Sequence, residues 1–188
     1  MSATGRGRER NARDFYETPK WVTHALFQSE RLFRRFYEPA CGTGSILRVL
    51  GQYGEARGSE IYEGFAASCR KEGLDVETLD YLSENTPPSR GDIVMNPPYR
   101  QAAGFVRKAL ECSESDAKVC ALLRLNFLGS SRKRIDLVGP GSCLKAVHVL
   151  SRRPSFTGDG KTDACEYAWF VWQKNYAGAC RVSVVAVF

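Results

Sequence analysis

Short apolar runs and amphipathic stretches alternate through the middle of the chain. Runs bounded by glycine, proline or acidic residues predict strands at 35–38, 55–61, 76–79, 92–95 and 118–125. Between them, apolar residues recur at three- and four-residue spacing, which predicts helices at about 45–51, 63–72 and 102–111. Strands that alternate with helices favour a parallel sheet covered by helices on both faces. The sequence therefore predicts an α/β fold.

The two ends of the chain depart from this alternation. Residues 1–13 are basic, contain glycine and lack apolar periodicity, which predicts a disordered arm. The rest, 14–188, is expected to form a single domain, because chains seldom split into domains below about 250 residues. Order is predicted to begin with a helix in which Thr18 is the N-cap and Pro19 lies in the first turn.

Beyond residue 125 the predicted strands follow one another without a regular helix between them. A polar, basic stretch covers 126–143, and strands are predicted at 145–150 and 167–172. The loop at 154–164 joins these two strands, so antiparallel pairing is expected between them. Residues 181–188 predict one more strand.

Composition narrows the class of protein. Hydrophobic residues make up 43% of the 188 residues and charged residues 26%, as in ordinary soluble globular proteins. No apolar run approaches the roughly 20 residues of a membrane span, and the N-terminus lacks the apolar segment of a signal peptide. We therefore expect a cytoplasmic protein without a membrane partner. The sequence gives no indication of the oligomeric state.

The cysteines argue against a metal site. There are seven, an odd number at irregular spacing, and no Cys-x-x-Cys pair occurs. His24 and His148 are the only histidines that could act as further ligands. We expect reduced thiols, mostly buried, and no bound metal.

Charge is consistent with a polyanionic partner. The net charge is +6, from 27 lysines and arginines against 21 acidic residues. One basic cluster, Arg132, Lys133 and Arg134, follows the fifth predicted strand, and is the candidate for contact with nucleic-acid phosphates. A solvated basic loop is the alternative interpretation. A second cluster is formed by Arg152 and Arg153.

Ligands of open parallel sheets bind at the carboxyl ends of the strands, and the first such turn is Glu-Pro-Ala-Cys-Gly-Thr-Gly at 38–44. Its two glycines permit a sharp turn and close approach of a ligand, but the turn matches neither the dinucleotide fingerprint nor a phosphate loop. Glu38 is suited to a cationic ligand group such as an ammonium. Glu60, sixteen residues after Gly44, is suited to ribose hydroxyls, and Asp80 to an adenine amino group. Solvated carboxylates at strand ends are the alternative interpretation.

The sharpest motif is Asn-Pro-Pro-Tyr at 96–99, directly after an apolar strand. Its two prolines lack backbone donors and hold the chain extended, so that carbonyl oxygens face outward. With the Asn96 side-chain oxygen and the Tyr99 ring, the loop is suited to a planar base that carries an amino group. A proline turn that closes a strand, with Tyr99 covering the core, is the alternative.

Taken in order, these motifs resemble the amino-methyltransferases, in particular the adenine-specific DNA methyltransferases, including short phage-encoded members. The resemblance covers roughly 14–128 and implies a Rossmann-like fold, with a mostly parallel seven-stranded sheet that ends in an antiparallel hairpin. It implies S-adenosylmethionine as cofactor. It further implies a role for each matching residue. Three groups would bind parts of the cofactor: an N-terminal element (Tyr16, Thr18 and Pro19), the methionine contacts (Glu38, Ala40, Gly42 and Gly44) and the nucleoside contacts, with Glu60 and Ile61 at the ribose and Asp80 at the adenine. The catalytic loop would consist of Asn96, Pro97, Pro98 and Tyr99.

The resemblance implies methyl transfer to the exocyclic N6 amine of adenine in DNA. Only 89 residues follow Tyr99, and the last strands use most of them, so no separate target-recognition domain is expected. Two alternatives stay open: transfer to an RNA base or a protein glutamine amide, which needs the same acceptor geometry, and a non-catalytic module that binds nucleic acid or another partner.

Overall fold

The computed structural model describes residues 17–84, 86, 88–129, 131–156, 162 and 164–186. The predicted basic arm at 1–13 and the predicted cofactor residue Tyr16 lie outside this set. Within it, no helix is both long enough and apolar enough to cross a membrane. All seven cysteines are free thiols; Cys41, Cys69 and Cys120 are buried, and Cys180 is exposed.

Eight strands form one sheet in the order β3-β2-β1-β4-β5-β7-β6-β8. The strands are β1 Arg35–Pro39, β2 Glu55–Glu60, β3 Asp75–Thr78, β4 Asp92–Met95, β5 Lys118–Arg124, β6 Leu144–Leu150, β7 Tyr167–Gln173 and β8 Arg181–Val185. The helices are α1 Lys20–Ser29, α2 Ser45–Leu50, α3 Glu63–Lys71, α4 Ala102–Cys112 and α5 Ile135–Val138. Strands β1 to β5 are parallel, and β7 runs antiparallel to both β5 and β6, which confirms the predicted hairpin.

The sheet has one strand more than the seven that the resemblance implies. The additional strand, β8, pairs parallel with the outer side of β6. A side-chain contact accompanies this pairing: Ser183 Oγ lies 2.7 Å from His148 Nδ1, and His148 Nε2 in turn lies 2.9 Å from Glu30 Oε1. Burial raises the pKa of Glu30, but hydrogen bonds from His148 and Lys118 outweigh it and lower that pKa to about 2.

Two apolar layers sandwich the sheet, and β7 contributes to both. Its side chains alternate, so that Trp169 packs on the side of α1 and α2 while Phe170 and Trp172 pack on the side of α4. Each indole donates a hydrogen bond to a backbone carbonyl, Trp169 to Val22 and Trp172 to Leu137, both at 2.8 Å. Burial on both faces explains why β7 is a continuous apolar run.

One local prediction was wrong. Thr18 does not cap α1, which follows Pro19 without a side-chain cap, because the Thr18 hydroxyl accepts a hydrogen bond from another part of the chain. The polar, basic stretch 126–143 has some regular structure of its own. It contains a 3₁₀ turn at Arg132–Arg134 and the short helix α5, whose Leu137 is buried against the α4 face.

Candidate functional site

A cleft opens at the carboxyl ends of β1, β2 and β4, where the order of the strands predicts ligand binding. It encloses about 1000 Å³, including its open mouth. Nine of the predicted site residues line it: Thr18, Glu38, Ala40, Gly42, Glu60, Ile61, Asp80, Asn96 and Pro98. The structure therefore brings the 38–44 turn and the 96–99 loop to one cavity. Pro19, Gly44, Pro97 and Tyr99 do not line it.

The turn after β1 is held in an unusual backbone conformation. Ala40, Gly42 and Gly44 have positive φ angles of 55°, 56° and 78°. Glycine adopts this region readily, whereas alanine does so at a cost of roughly 1–2 kcal/mol. At Gly44 a Cβ would also lie 2.6 Å from Leu74 Cδ1, so the Leu74 side chain would have to shift. The predicted need for glycine at these two positions thus has a backbone reason at both.

Glu38 is a buried carboxyl group at the floor of the cleft, only 3% exposed. Its Oε2 atom has no hydrogen-bond donor among the described residues. Burial raises the pKa of Glu38 well above its usual value; the Leu47 backbone amide opposes this shift, while the charge of nearby Glu60 adds to it. A buried acceptor without a donor suits a ligand group that brings hydrogens and positive charge.

Glu60 has a structural role that its sequence position did not reveal. Its Oε2 accepts from the Gly42 amide at 2.8 Å, and its Oε1 accepts from the Tyr62 amide at 3.0 Å. The carboxylate therefore fixes the 38–44 turn to the end of β2. Each carboxylate oxygen has two lone pairs, so the group can bind these amides and also accept hydrogens from a ligand.

The far side of the cleft combines Asp80 with an apolar wall. Asp80 is exposed, and its Oδ1 accepts from the Leu82 amide at 3.0 Å. Apolar side chains of Ile61, Phe65, Leu82 and Phe105 line the same cavity. The last three were not predicted: Phe65 and Phe105 lie in helix patterns that equally indicate core packing, and Leu82 lies in the loop after β3. An apolar wall beside a carboxylate is suited to a planar ring with an amino group.

Asn96 is fixed by the segment that precedes α1. Its Nδ2 donates to Thr18 Oγ1 at 2.9 Å, and Thr18 is itself buried. The carbonyl of Thr18 accepts from Ser45 Oγ, in the first turn of α2, at 2.7 Å. Thr18 therefore connects the loop after β4 with the helix after β1. Because the amide nitrogen is bound to Thr18, the Asn96 oxygen is the atom of this side chain suited to accept a substrate hydrogen.

Tyr99 lies beside the cleft. Its half-buried ring packs against both apolar layers, 5.9 Å from the Tyr167 ring between centroids. The guanidinium carbon of Arg124 lies 5.2 Å from the centroid of the Tyr99 ring. Both neighbours are at the carboxyl edge, Arg124 at the end of β5 and Tyr167 at the start of β7.

The basic cluster at 132–134 divides into two kinds of residue. Arg134 is half-buried: its guanidinium lies 4.7 Å from the Phe127 ring centroid and donates to the carbonyls of Asn126 and Gly129. Arg132 and Lys133 have exposed side chains. Only these two have the exposure that a contact with a large partner requires. No group of three or more potential metal ligands occurs in the part of the chain that the structure describes.

No family model and no curated protein matches the chain. Solved structures do. One is a putative class I S-adenosylmethionine-dependent methyltransferase from Listeria monocytogenes (10% identity, 96% of this chain and 68% of that one, TM-score 0.67). Another is a modification subunit of a putative type I restriction enzyme from Vibrio vulnificus YJ016 (16% identity, 95% of this chain and 48% of that one, TM-score 0.64). A third is the 23S rRNA methyltransferase ErmE (20% identity, 86% of this chain and 70% of that one, TM-score 0.61).

The chain spans about half the length of the Vibrio vulnificus subunit. At these identities the similarity establishes the architecture. The chain has the Rossmann-like α/β fold found in S-adenosylmethionine-dependent methyltransferases, extended by one strand at the β6 edge.

Proposed function

We propose that this protein is an S-adenosylmethionine-dependent methyltransferase that modifies the exocyclic N6 amine of adenine in DNA. The observation that carries the proposal is the meeting of the Glu38 carboxyl, which has an acceptor atom without a described donor, and Asn96 in one cleft. The fold supports the reaction class, since similar structures include methyltransferases and a restriction-enzyme modification subunit.

The residues present fit the cofactor. Glu38 is proposed to bind the ammonium of the methionine part, because a cation would satisfy its Oε2 atom and favour its ionised form. Glu60 and Asp80 are proposed to accept from the ribose hydroxyls and the adenine amino group, with Phe65 and Leu82 against the ring. When bound, S-adenosylmethionine supplies a methyl group on a positively charged sulfur, which is an intrinsically reactive donor.

Asn96 and the Pro97 carbonyl are proposed to hold the acceptor amine. An exocyclic amine is a weak nucleophile because its lone pair is delocalised into the ring. Acceptors for both N–H hydrogens favour a pyramidal nitrogen, which frees the lone pair. The hydrogen bond from Asn96 to Thr18 fixes the side chain in advance, so orientation supplies much of the rate acceleration.

A base in duplex DNA must leave the stack to reach the cleft, at a cost of a few kcal/mol. Tyr99, at the side of the cleft, is proposed to support the flipped base. Arg132 and Lys133 are proposed to contact backbone phosphates, because both are exposed on the segment after β5. Similarity to the 23S rRNA methyltransferase ErmE makes a base in RNA the second candidate substrate.

The proposal is tested by incubating the protein with methyl-labelled S-adenosylmethionine and DNA, RNA or a protein extract. We expect label in DNA, recovered as N6-methyladenine after digestion to nucleosides, and none with Asn96→Ala. Label confined to RNA would transfer the proposal to the second candidate. Label in no acceptor, from protein that binds the cofactor, would contradict the proposed activity.

A further inference from the structure

A second pocket lies at the carboxyl edge of the sheet, beside the catalytic loop. Its lining includes Trp21, Arg152, Arg153 and Ser155. Strand β6 runs in the same direction as β5, because both are antiparallel to β7, so its carboxyl end shares the edge that holds the cleft. Arg152 and Arg153 follow that end directly.

Two contacts connect this pocket with the proposed catalytic loop. Trp21 lies in the first turn of α1, three residues after Thr18, which binds Asn96. On the other side, the ring of Tyr99 contacts Tyr167, and the ring centroid of Tyr167 lies 5.0 Å from that of Phe156, next to Ser155. These connections place the pocket beside the proposed catalytic loop, at the same edge of the sheet.

The two arginines are in different electrostatic situations. Arg153 forms an ion pair with Glu166, so its charge is locally compensated. The Arg152 guanidinium carbon lies 4.4 Å from the Trp21 ring centroid, and no carboxylate among the described residues pairs with it. Arg152 is exposed. Stacking on the indole covers one face of the guanidinium and leaves its N–H edge directed elsewhere.

Ser155 contributes a second polar group to the pocket. Its Oγ atom is buried in the pocket and has no hydrogen-bond partner among the described residues. A guanidinium edge and a hydroxyl donor on one pocket match the oxygens of a phosphodiester, which accepts charge-assisted hydrogen bonds from arginine. By contrast, Nη2 of Arg134 in the other basic cluster donates to the carbonyls of its own loop.

We propose that the pocket of Trp21, Arg152 and Ser155 binds a backbone phosphate of the nucleic-acid strand that carries the target base. The inference rests on the proposed function for the identity of the strand, and it names the side of the cleft along which the strand runs. It places this strand on the α1 face of the sheet, whereas residues 132–134 lie on the α4 face, where Asp136 pairs with Arg107.

Fluorescence anisotropy with a labelled, adenine-containing oligonucleotide tests the inference, in DNA and RNA arms of the same sequence. We expect Arg152→Ala to weaken binding about tenfold, as for loss of a hydrogen bond to a charged group, and to lower the salt slope by about one. Arg152→Lys should recover part of the affinity. Trp21→Ala should weaken binding roughly threefold through loss of the cation–π contact.

A matched control removes the same charge elsewhere. Arg34→Ala removes an exposed arginine at the amino end of β1 and should change affinity less than about twofold. Thermal melting checks that each variant is folded. A loss specific to Arg152 in either arm supports the pocket, and the arm with the larger loss identifies the strand. Equal effects of Arg152→Ala and Arg34→Ala in both arms would overturn it.

The outcome is separable from that of the proposed function. Methyl transfer to DNA together with an unaffected Arg152→Ala variant would refute the pocket alone. Absence of methyl transfer, with the Arg152 effect intact, would refute the proposed reaction while leaving a nucleic-acid phosphate site in place.

Discussion

The two halves of the sheet carry their functional groups in different ways. On the β1–β4 side, polar groups are buried at strand ends and fixed by the backbone, as where Glu60 binds the amides of Gly42 and Tyr62. On the β5–β8 side, the carboxyl edge carries cations that lie over aromatic rings, the half-buried Arg124 over Tyr99 and the exposed Arg152 over Trp21. The first arrangement suits a small ligand held in one position, and the second suits a large, charged partner.

The two halves therefore differ in rigidity: the β1–β4 side holds its groups in fixed positions, and the β5–β8 side can adapt to its partner. The turn at 38–44 has backbone strain at Ala40, which persists only where surrounding contacts determine the conformation. The exposed guanidinium of Arg152, in contrast, has donors that can adjust to a flexible strand. If the comparison holds, mutations on the first side change the cofactor affinity or the reaction, and mutations on the second side change the affinity for nucleic acid.

The largest effect is expected at the boundary between the halves. Asn96→Ala removes the acceptor for the substrate amine, and we expect methyl transfer to fall by at least about a hundredfold, comparable to loss of one preorganised polar group in other active sites. Cofactor affinity, measured by calorimetry, should stay within about threefold of the native value, an allowance of under 1 kcal/mol. A large loss of cofactor binding would assign Asn96 to the cofactor site instead.

The next effect concerns Glu38. Glu38→Gln keeps the shape of the side chain but removes the charge proposed to face the ammonium, so cofactor affinity should fall by about 1.5–3 kcal/mol. Glu55→Gln, an exposed carboxylate at the start of β2, is the control and should have no effect.

The pH dependence of binding sharpens this test. The pKa of Glu38 is raised by burial, and a bound cation favours the ionised form, so affinity should rise as pH increases through that raised pKa and fall as pH decreases. Equilibrium dialysis at several pH values measures the profile. A profile that is the same in native protein and Glu38→Gln would show that another group titrates.

A smaller effect is expected at Tyr99. Loss of one base–aromatic stack costs about 1–3 kcal/mol, so Tyr99→Ala should weaken binding of substrate by that amount, while Tyr99→Phe retains the ring and most of the affinity. Thermal melting of both variants separates this loss from loss of packing, since the ring also contacts Tyr167. Unchanged activity in a folded Tyr99→Ala protein would leave Tyr99 as a packing residue.

The smallest effects are expected in the cluster at 132–134. Arg132→Ala and Lys133→Ala should each weaken nucleic-acid binding by about two- to threefold and lower the salt slope, as for single phosphate contacts on an exposed surface. Arg134→Ala should lower the melting temperature instead, because its guanidinium packs on Phe127. The opposite pattern, with Arg134 dominant in binding, would reverse this division of roles.

Much of the β1–β4 side was predictable because its chemistry lies in contiguous segments. Glu38, Gly42 and Gly44 belong to one turn of seven residues, so their positions relative to one another follow from the local sequence. The strand order then brings Asn96 to the same edge. The double role of Glu60 was not predictable, because its hydrogen bond to Gly42 depends on how the turn folds back.

The β5–β8 side was harder to predict because its contacts join residues far apart in the sequence. Trp21 and Arg152 meet only after α1 has packed against β6, and nothing local to either residue marks the pair. The capping role expected for Thr18 failed for the same reason, since the more favourable partner, Asn96, comes from a distant loop. The eighth strand was detectable as an apolar run, but its position beside β6 was not.

The central claim is that the cleft holds a cofactor ammonium against Glu38 while Asn96 faces the substrate amine. A crystal structure with S-adenosylhomocysteine and an adenine-containing oligonucleotide tests it most directly. The account predicts the ligand nitrogen within about 3.2 Å of Glu38 Oε2 and the adenine N6 within about the same distance of Asn96 Oδ1. A ligand bound elsewhere, or a Glu38 carboxyl that contacts only solvent or protein in the complex, would contradict it.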